Sequence, residues 1–185
     1  WPAAALIVAF IAITLIIGQP MEKVFTSIQN NISNLGGWFF VLAVNFFLVF
    51  VLYIAFSKYG RIRLGGKRAK PEFSTGAWFA MLFSAGMGIG ILFWSVGEPM
   101  FHFMGPPHGE AETAVAAEIA METTFLHWGM HAWGIYALVG MALAFFTFNR
   151  KLPLTISSIF YPLLGKKVYG PWGKAINVLA VVATL

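Results

Sequence analysis

Long apolar runs constrain what this chain can fold into more than any other feature of its sequence. A helix needs about 20 apolar residues to cross the hydrocarbon core of a bilayer, and four runs reach or approach that length while a fifth begins near residue 175. Charged residues make up only 10% of the chain, against about 25% in soluble domains. The sequence therefore predicts an all-α membrane protein, a transmembrane helix bundle. The predicted spans are residues 1–17, 36–56, 76–97, 123–146 and 175–185.

Both ends of the sequence lie inside apolar runs. The chain begins Trp1-Pro2 without an initiator methionine, and it stops within the fifth run. We therefore expect residues 1–185 to be a truncated piece of one transmembrane domain. The sequence contains no cysteine, so a disulfide or a thiolate metal site is excluded.

The charged residues are sorted by their position along the chain. All but one of the 12 lysines and arginines fall in residues 57–75 and 149–174, and all but one of the seven acidic residues fall elsewhere. Cytoplasmic connections of membrane proteins carry an excess of Lys and Arg. We therefore expect 57–75 and 149–174 to be cytoplasmic and 18–35 and 98–122 extracytoplasmic, in a multi-pass protein of a bacterial inner membrane. The net charge of +5 is explained by orientation, and no nucleic-acid partner is predicted.

Three glycines at alternate positions, Gly86, Gly88 and Gly90, lie within the third span, in the segment GMGIGILFW. Each interior glycine costs a helix about 1 kcal/mol relative to alanine. Gly86 and Gly90 share a face and could form a packing groove, but Gly88 faces the other way. The spacing favours a helix that is broken near 86–90, whose freed backbone groups could bind a cation or an anionic substrate group. Packing glycines remain the alternative.

An aromatic face characterises the fourth span. Trp128, Trp133 and Tyr136 fall in one broad sector of a helical wheel. Trp133 and Tyr136 lie near mid-membrane, whereas Trp and Tyr usually gather at the headgroup level. A quaternary ammonium has no N–H to donate, so stacked aromatic faces suit it, at about 0.5–2 kcal/mol per ring. Packing against lipid or other helices is an equally good interpretation from these residues alone.

Polar residues near the aromatic face allow a metal site or structural hydrogen bonds. His127 and His131 have the i, i+4 spacing that places two ligands on one helix face. Neither Glu nor Cys stands beside them in the sequence, so hydrogen bonds between helices are favoured over a metal or a proton relay. The pair Gly97 and Pro99 predicts the end of the third helix, with Glu98 in a structural role at the outer interface.

Two segments together resemble the betaine/carnitine/choline transporter family: MLFSAGMGIGILFWSVGEPM (81–100) and TTFLHWGMHAWGIYALVGMALAFFTF (123–148). The resemblance covers essentially the whole chain. It implies the first five of twelve helices: two peripheral helices, then the first three of a ten-helix core with a leucine-transporter-like inverted repeat. It also implies a homotrimer.

The resemblance implies roles for individual residues. Trp128, Trp133 and Tyr136 match the aromatic box around a trimethylammonium group, and Met87, Gly88 and Gly90 line the substrate site. In sodium-coupled members, one ion site maps onto main-chain oxygens of Ser84 and Met87, and a second uses a hydroxyl that Thr184 matches. Choline-selective members tend to have Asp in place of Gly88, so the glycine here favours a zwitterion such as glycine betaine.

The sequence thus predicts a secondary active transporter for a quaternary-ammonium compatible solute, most simply glycine betaine with Na⁺ as the coupling ion and alternating access. No other cofactor is expected. The alternatives are a Na⁺-independent exchanger of the carnitine type, and a channel or sensor that binds quaternary amines. An enzyme is disfavoured because the spans lack a nucleophile–base pair.

Overall fold

The computed structural model describes residues 2–86 and 88–184, except for the side chain of Ile89. Its described residues contain helices and no strand, which confirms the all-α prediction. Three stretches are long and apolar enough to cross a membrane: Gln19–Phe56, Thr75–Met104 and Ala114–Asn149. The apolar helix Pro2–Ile17 is shorter. The chain divides into two compact units, one of residues 1–67 and 137–185 and the other of residues 68–136.

The first unit begins with two helices, α1 (Pro2–Ile17) and α2 (Gln19–Phe56). Gly18 joins them with a φ of +67°, a left-handed conformation that favours glycine. The rings of Phe10 and Phe25 meet across the joint, with centroids 5.6 Å apart. Residues 18–35, predicted as a connection between spans, are thus almost entirely helical, and the second span is the C-terminal half of a 38-residue helix.

Two further segments of the first unit meet through one side chain. A 3₁₀ turn (Lys58–Arg61) follows α2, and a π-helical turn (Phe145–Asn149) ends helix α6 (Met130–Ala144). The Asn149 amide joins the two regions, because its Oδ1 accepts from Gly65 N (2.9 Å) and its Nδ2 donates to the Arg63 carbonyl (3.1 Å).

Short helices fill the segment before the last apolar helix. They are α7 (Ile156–Ile159), α8 (Tyr161–Leu164) and a 3₁₀ turn (Gly165–Tyr169), and they lead to α9 (Pro171–Val182). Asn177 on α9 accepts a hydrogen bond from the backbone N–H of Ser157, at 3.0 Å, and so caps α7. Ser157 and Ser158 are buried there.

The second unit contains α3 (Thr75–Gly86), α4 (Ile89–Met104), α5 (Ala114–Trp128) and the start of α6. Helix α4 packs against α5, where Ala116, Ile119 and Ala120 are buried. The small alanine side chains allow the two helices to approach closely. Thr113 caps α5, because its hydroxyl accepts from Ala116 N at 3.0 Å.

The helices of the second unit differ from the sequence-based expectations in two places. Helix α4 continues through Pro99 to Met104, so the prediction that Gly97 and Pro99 end it is wrong. Residues 98–122 consequently hold only a short connection, 105–113, between two helices. The predicted fourth span is interrupted at Gly129, where α5 ends and α6 has yet to begin.

Candidate functional site

The glycine segment of the third span contains an interruption between two helices. Helix α3 ends at Gly86, and α4 begins at Ile89. Between them Gly88 is extended, with a ψ of −164°, and its carbonyl accepts the Leu92 N–H at 3.3 Å. Met87, predicted to contribute to the substrate and sodium sites, lies outside the described residues. Backbone that leaves the helix in this way frees peptide groups for a ligand.

Gly86 lies directly against the aromatic ring of Trp133. A Cβ atom at Gly86 would lie 2.8 Å from Cη2 and 3.4 Å from Cζ3 of that ring. Only a residue without a side chain permits this contact. Gly86 therefore lets the Trp133 ring approach the backbone closely, in addition to ending α3. A Cβ at Gly90, in contrast, would have nothing within 4 Å.

Gly129 interrupts the helix that carries the aromatic residues. Its backbone is extended, with a ψ of −158°, so Trp128 ends one helix and Trp133 lies in the first turn and a half of the next. The indole Nε1 of Trp133 donates to the Trp128 carbonyl at 3.0 Å. This bond satisfies a carbonyl at a helix end and fixes the ring of Trp133 against the interruption.

The aromatic rings form a partly open cluster. Trp133 and Tyr136 have centroids 6.0 Å apart and planes inclined at 46°, with exposed fractions of 43% and 72%. Trp128 is half-buried. The structure thus brings the rings of Trp133 and Tyr136 together, with Trp133 against Gly86, and joins Trp128 to Trp133 through the Trp128 carbonyl. Two inclined, accessible π faces can receive an organic cation.

Glu98 holds the end of α5 from the facing helix α4. Its carboxylate is buried, with Oε1 2.7 Å from Nδ1 of His127 and Oε2 accepting from Nε1 of Trp128 at 2.7 Å. His102 Nε2 lies 3.6 Å from Oε1. The prediction that the helix ends at Glu98 is wrong, because Glu98 lies inside α4. Its bonds to two residues of α5 agree with the predicted structural role.

The predicted histidine pair is divided between two helices. His127 belongs to α5 and His131 to α6, so the face-sharing geometry of an uninterrupted helix does not apply. Across the described ranges, His, Asp and Glu side chains form no group of three that could hold a metal ion. The hydrogen bond from His127 to Glu98 agrees with the interpretation that favoured bonds between helices.

The residues predicted to bind sodium lie in separate parts of the chain. Ser84 is in the last turn of α3, and its carbonyl oxygen is 3.0 Å from the position of a Cβ on Gly88. Thr184 follows α9 in the first unit, where its hydroxyl donates to the Val181 carbonyl at 2.7 Å. The described backbone therefore places the carbonyl of Ser84 beside the interruption at Gly88.

The sequence as a whole matches one protein family. The model of the BCCT, betaine/carnitine/choline family transporter, matches residues 1–185. The chain belongs to this family. Among curated proteins, it is 46% identical to the "Glycine betaine transporter" of Acinetobacter baylyi over 97% of this chain and 27% of that protein. It is 53% identical to the "Probable glycine betaine transporter" of Desulfitobacterium hafniense over 89% of this chain and 32% of that protein.

Choline is named among the relatives as well. The "Osmo-dependent choline transporter BetT2" of Acinetobacter baylyi is 43% identical over 99% of this chain and 27% of that protein. The chain therefore spans about a third or less of the length of these family members. The transporter family and the all-α architecture agree with the expectation from the two sequence segments.

Two site features of this family member were missed by reasoning from the sequence. The interruption at Gly129 had a signal, a glycine between two aromatic residues in HWGMHAW, but the surrounding run is apolar enough to predict one helix. The contact of Glu98 with Trp128 had none, because 30 positions separate the two residues. Packing of α4 on α5 alone brings them together.

Proposed function

We propose that this chain forms the N-terminal part of a secondary active transporter that takes up a quaternary-ammonium zwitterion, glycine betaine in the first instance. Na⁺ is the coupling ion, and the protein works by alternating access as a homotrimer in a bacterial inner membrane. Residues 57–75 and 149–174 are cytoplasmic, because they hold almost all of the lysines and arginines. Glycine betaine is favoured over choline because Gly88 carries no side-chain charge.

The observation that carries the proposal is the cluster of accessible aromatic rings beside a broken helix. Trp133 and Tyr136 present inclined faces with centroids 6.0 Å apart, and Trp133 rests on Gly86 at the end of α3. A trimethylammonium group gains cation–π attraction from such faces. The substrate carboxylate, in turn, is suited to the peptide N–H groups at the start of α4.

The helix interruption also supports the choice of a sodium-coupled carrier. The Ser84 carbonyl lies beside the extended Gly88, and main-chain oxygens are ligands that Na⁺ accepts in broken transporter helices. Ser84 and Met87 would contribute to one ion site and Thr184 to another, in each case with further ligands from later helices.

The test is uptake of radiolabelled glycine betaine by the full-length protein in liposomes, with and without an inward Na⁺ gradient. Accumulation that depends on the gradient is the expected result. Uptake only in exchange for internal substrate would replace symport by exchange, and betaine binding without uptake would favour a sensor. Conductance faster than a carrier can turn over would indicate a channel.

The aromatic cluster is tested separately with one substitution and two matched controls. Trp133→Ala removes one π face and should weaken betaine binding by about 1–2 kcal/mol, or about 5- to 30-fold in Kd. Trp133→Phe keeps a ring and should lose less. Trp38→Ala removes an indole that is 67% exposed on α2, and it should leave Kd as it is. Equal affinities for all three variants and the natural protein would refute the assignment.

A further inference from the structure

Glu98 is a buried carboxylate whose contacts are concentrated on the aromatic helix. Only 5% of the residue is exposed. Taking a carboxylate out of water is costly unless its oxygens are well paired, and both oxygens of Glu98 are engaged at 2.7 Å, one with His127 and one with Trp128. The two partners are adjacent residues at the end of α5, where a helix frays most easily.

The hydrogen bond between Glu98 and Trp128 fixes the orientation of the Trp128 ring as well as the distance between α4 and α5. An indole has a single N–H and no acceptor, so a carboxylate oxygen at 2.7 Å defines the direction in which the ring edge points. A hydrogen bond to a charged acceptor is shorter and about twice as strong as a neutral one. His127, the other partner, has a side chain that is 62% exposed, and its ring packs on that of Trp128 with centroids 5.1 Å apart.

The backbone of Trp128 is bonded to the next ring. The carbonyl of Trp128 accepts from Nε1 of Trp133 at 3.0 Å, and Trp133 in turn lies against Gly86 and 6.0 Å from the ring of Tyr136. A chain of two hydrogen bonds therefore links Glu98 on α4 to both tryptophans of the cluster.

We propose that Glu98 is a positioning residue for substrate binding: its carboxylate holds the Trp128 indole, and through Trp128 the Trp133 ring, in the orientation that receives the quaternary ammonium. The negative charge at the indole N–H also pushes electron density into the ring and strengthens the attraction of the ring for a cation. This role rests on the proposed function, because it concerns the same aromatic cluster.

The experiment measures betaine uptake kinetics of the full-length protein in liposomes for four single variants and one double variant. Glu98→Gln removes the charge and keeps the shape, and Trp128→Phe keeps an aromatic face and removes the N–H. Each should raise the apparent KM by about fivefold or more, with the maximal rate per folded protein within about twofold of the natural one. The control Ser95→Ala changes a hydroxyl on the same helix that bonds only to the Leu92 carbonyl of its own turn, and its KM should not move.

The fourth variant distinguishes positioning from simple joining of two helices. His127→Phe keeps a ring against Trp128 and removes the bond to the carboxylate. If Glu98 only tied α4 to α5, His127→Phe would have the same effect as Trp128→Phe, because each removes one bond to the carboxylate. Under the positioning role, His127→Phe changes KM much less than Trp128→Phe does. The double variant Glu98→Gln/Trp128→Phe should also match Trp128→Phe alone, since the two changes break the same link.

Several outcomes would overturn the inference. An unchanged KM in Trp128→Phe would do so even if Glu98→Gln fails to fold. Equal effects of His127→Phe and Trp128→Phe would also overturn it, and so would additive effects in the double variant. These results would leave the proposed transport function intact. Absence of betaine binding and uptake in the natural protein would instead remove the proposed function, and the role of Glu98 with it.

Discussion

Replacing Gly86 by alanine is the sharpest perturbation that the structure offers, because one added methyl group meets one ring. The new Cβ would lie 2.8 Å from Cη2 of Trp133, whereas carbon atoms pack at about 3.5–4.0 Å, so the ring must retreat by about 1 Å. It cannot swing away freely, because its Nε1 is bonded to the Trp128 carbonyl at 3.0 Å. Either the methyl group is overpacked or this hydrogen bond breaks.

The cost follows from these two possibilities. Overpacking costs about 1–3 kcal/mol, and loss of a hydrogen bond costs about 1 kcal/mol. Because substrate requires the Trp133 ring in its original place, we expect this cost in binding, as an increase of about 5- to 150-fold in the Kd for glycine betaine. Isothermal titration of the purified full-length protein measures it directly.

Two controls make the Gly86→Ala result specific. Gly37→Ala adds the same methyl group on α2 with nothing within 4 Å, and it should keep the natural Kd. In a Trp133→Phe background the ring lacks Cη2, so adding Gly86→Ala should cost much less than it does in the natural protein. A Kd for Gly86→Ala within twofold of the natural value would contradict the close contact as the reason for this glycine.

Two further predictions concern other contacts. Asn149→Leu removes both hydrogen bonds to the backbone of Arg63 and Gly65, so trypsin should cut residues 61–70 about tenfold faster. Asn149→Asp keeps the acceptor for Gly65, so its cleavage rate should be intermediate. Equal cleavage rates in both variants and the natural protein would refute the contact. Gly88→Asp places a carboxylate at the break and should shift preference from glycine betaine toward choline in a competition uptake assay; an unchanged preference would exclude Gly88 from selectivity.

The sequence predicted the architecture better than it predicted where helices end. Apolar runs and charge sorting depend on the bilayer, so they report which residues lie in lipid. They do not report whether a helix stops at the interface. Polar residues such as Glu22 lower the hydropathy of 18–35 and predict a connection, yet residues 19–35 belong to α2, which begins at Gln19 and has Pro20 in its first turn. Pro99 likewise predicts the end of a helix, although α4 continues past it.

The candidate site was predictable as a set of residues but not as an arrangement. The helical wheel grouped Trp128, Trp133 and Tyr136 by assuming one uninterrupted helix, which Gly129 contradicts. The Trp133 and Tyr136 rings nevertheless lie together, and the Trp133 indole bonds across the interruption to the Trp128 carbonyl. The contact of Gly86 with Trp133 and the support from Glu98 arise from tertiary packing, for which a single sequence carries no periodic signal.

The interruption at Gly129 has a mechanical consequence. Trp128 belongs to α5, whereas Trp133 and Tyr136 belong to α6. A solute in contact with all three rings would therefore contact both helices across the interruption at Gly129. Any change in the angle between the two helices at Gly129 would then alter the distances between the rings and the affinity for the solute. Conversely, a bound solute would restrict the angle between α5 and α6. Solute binding would then favour one angle at Gly129, and that angle would in turn favour solute binding.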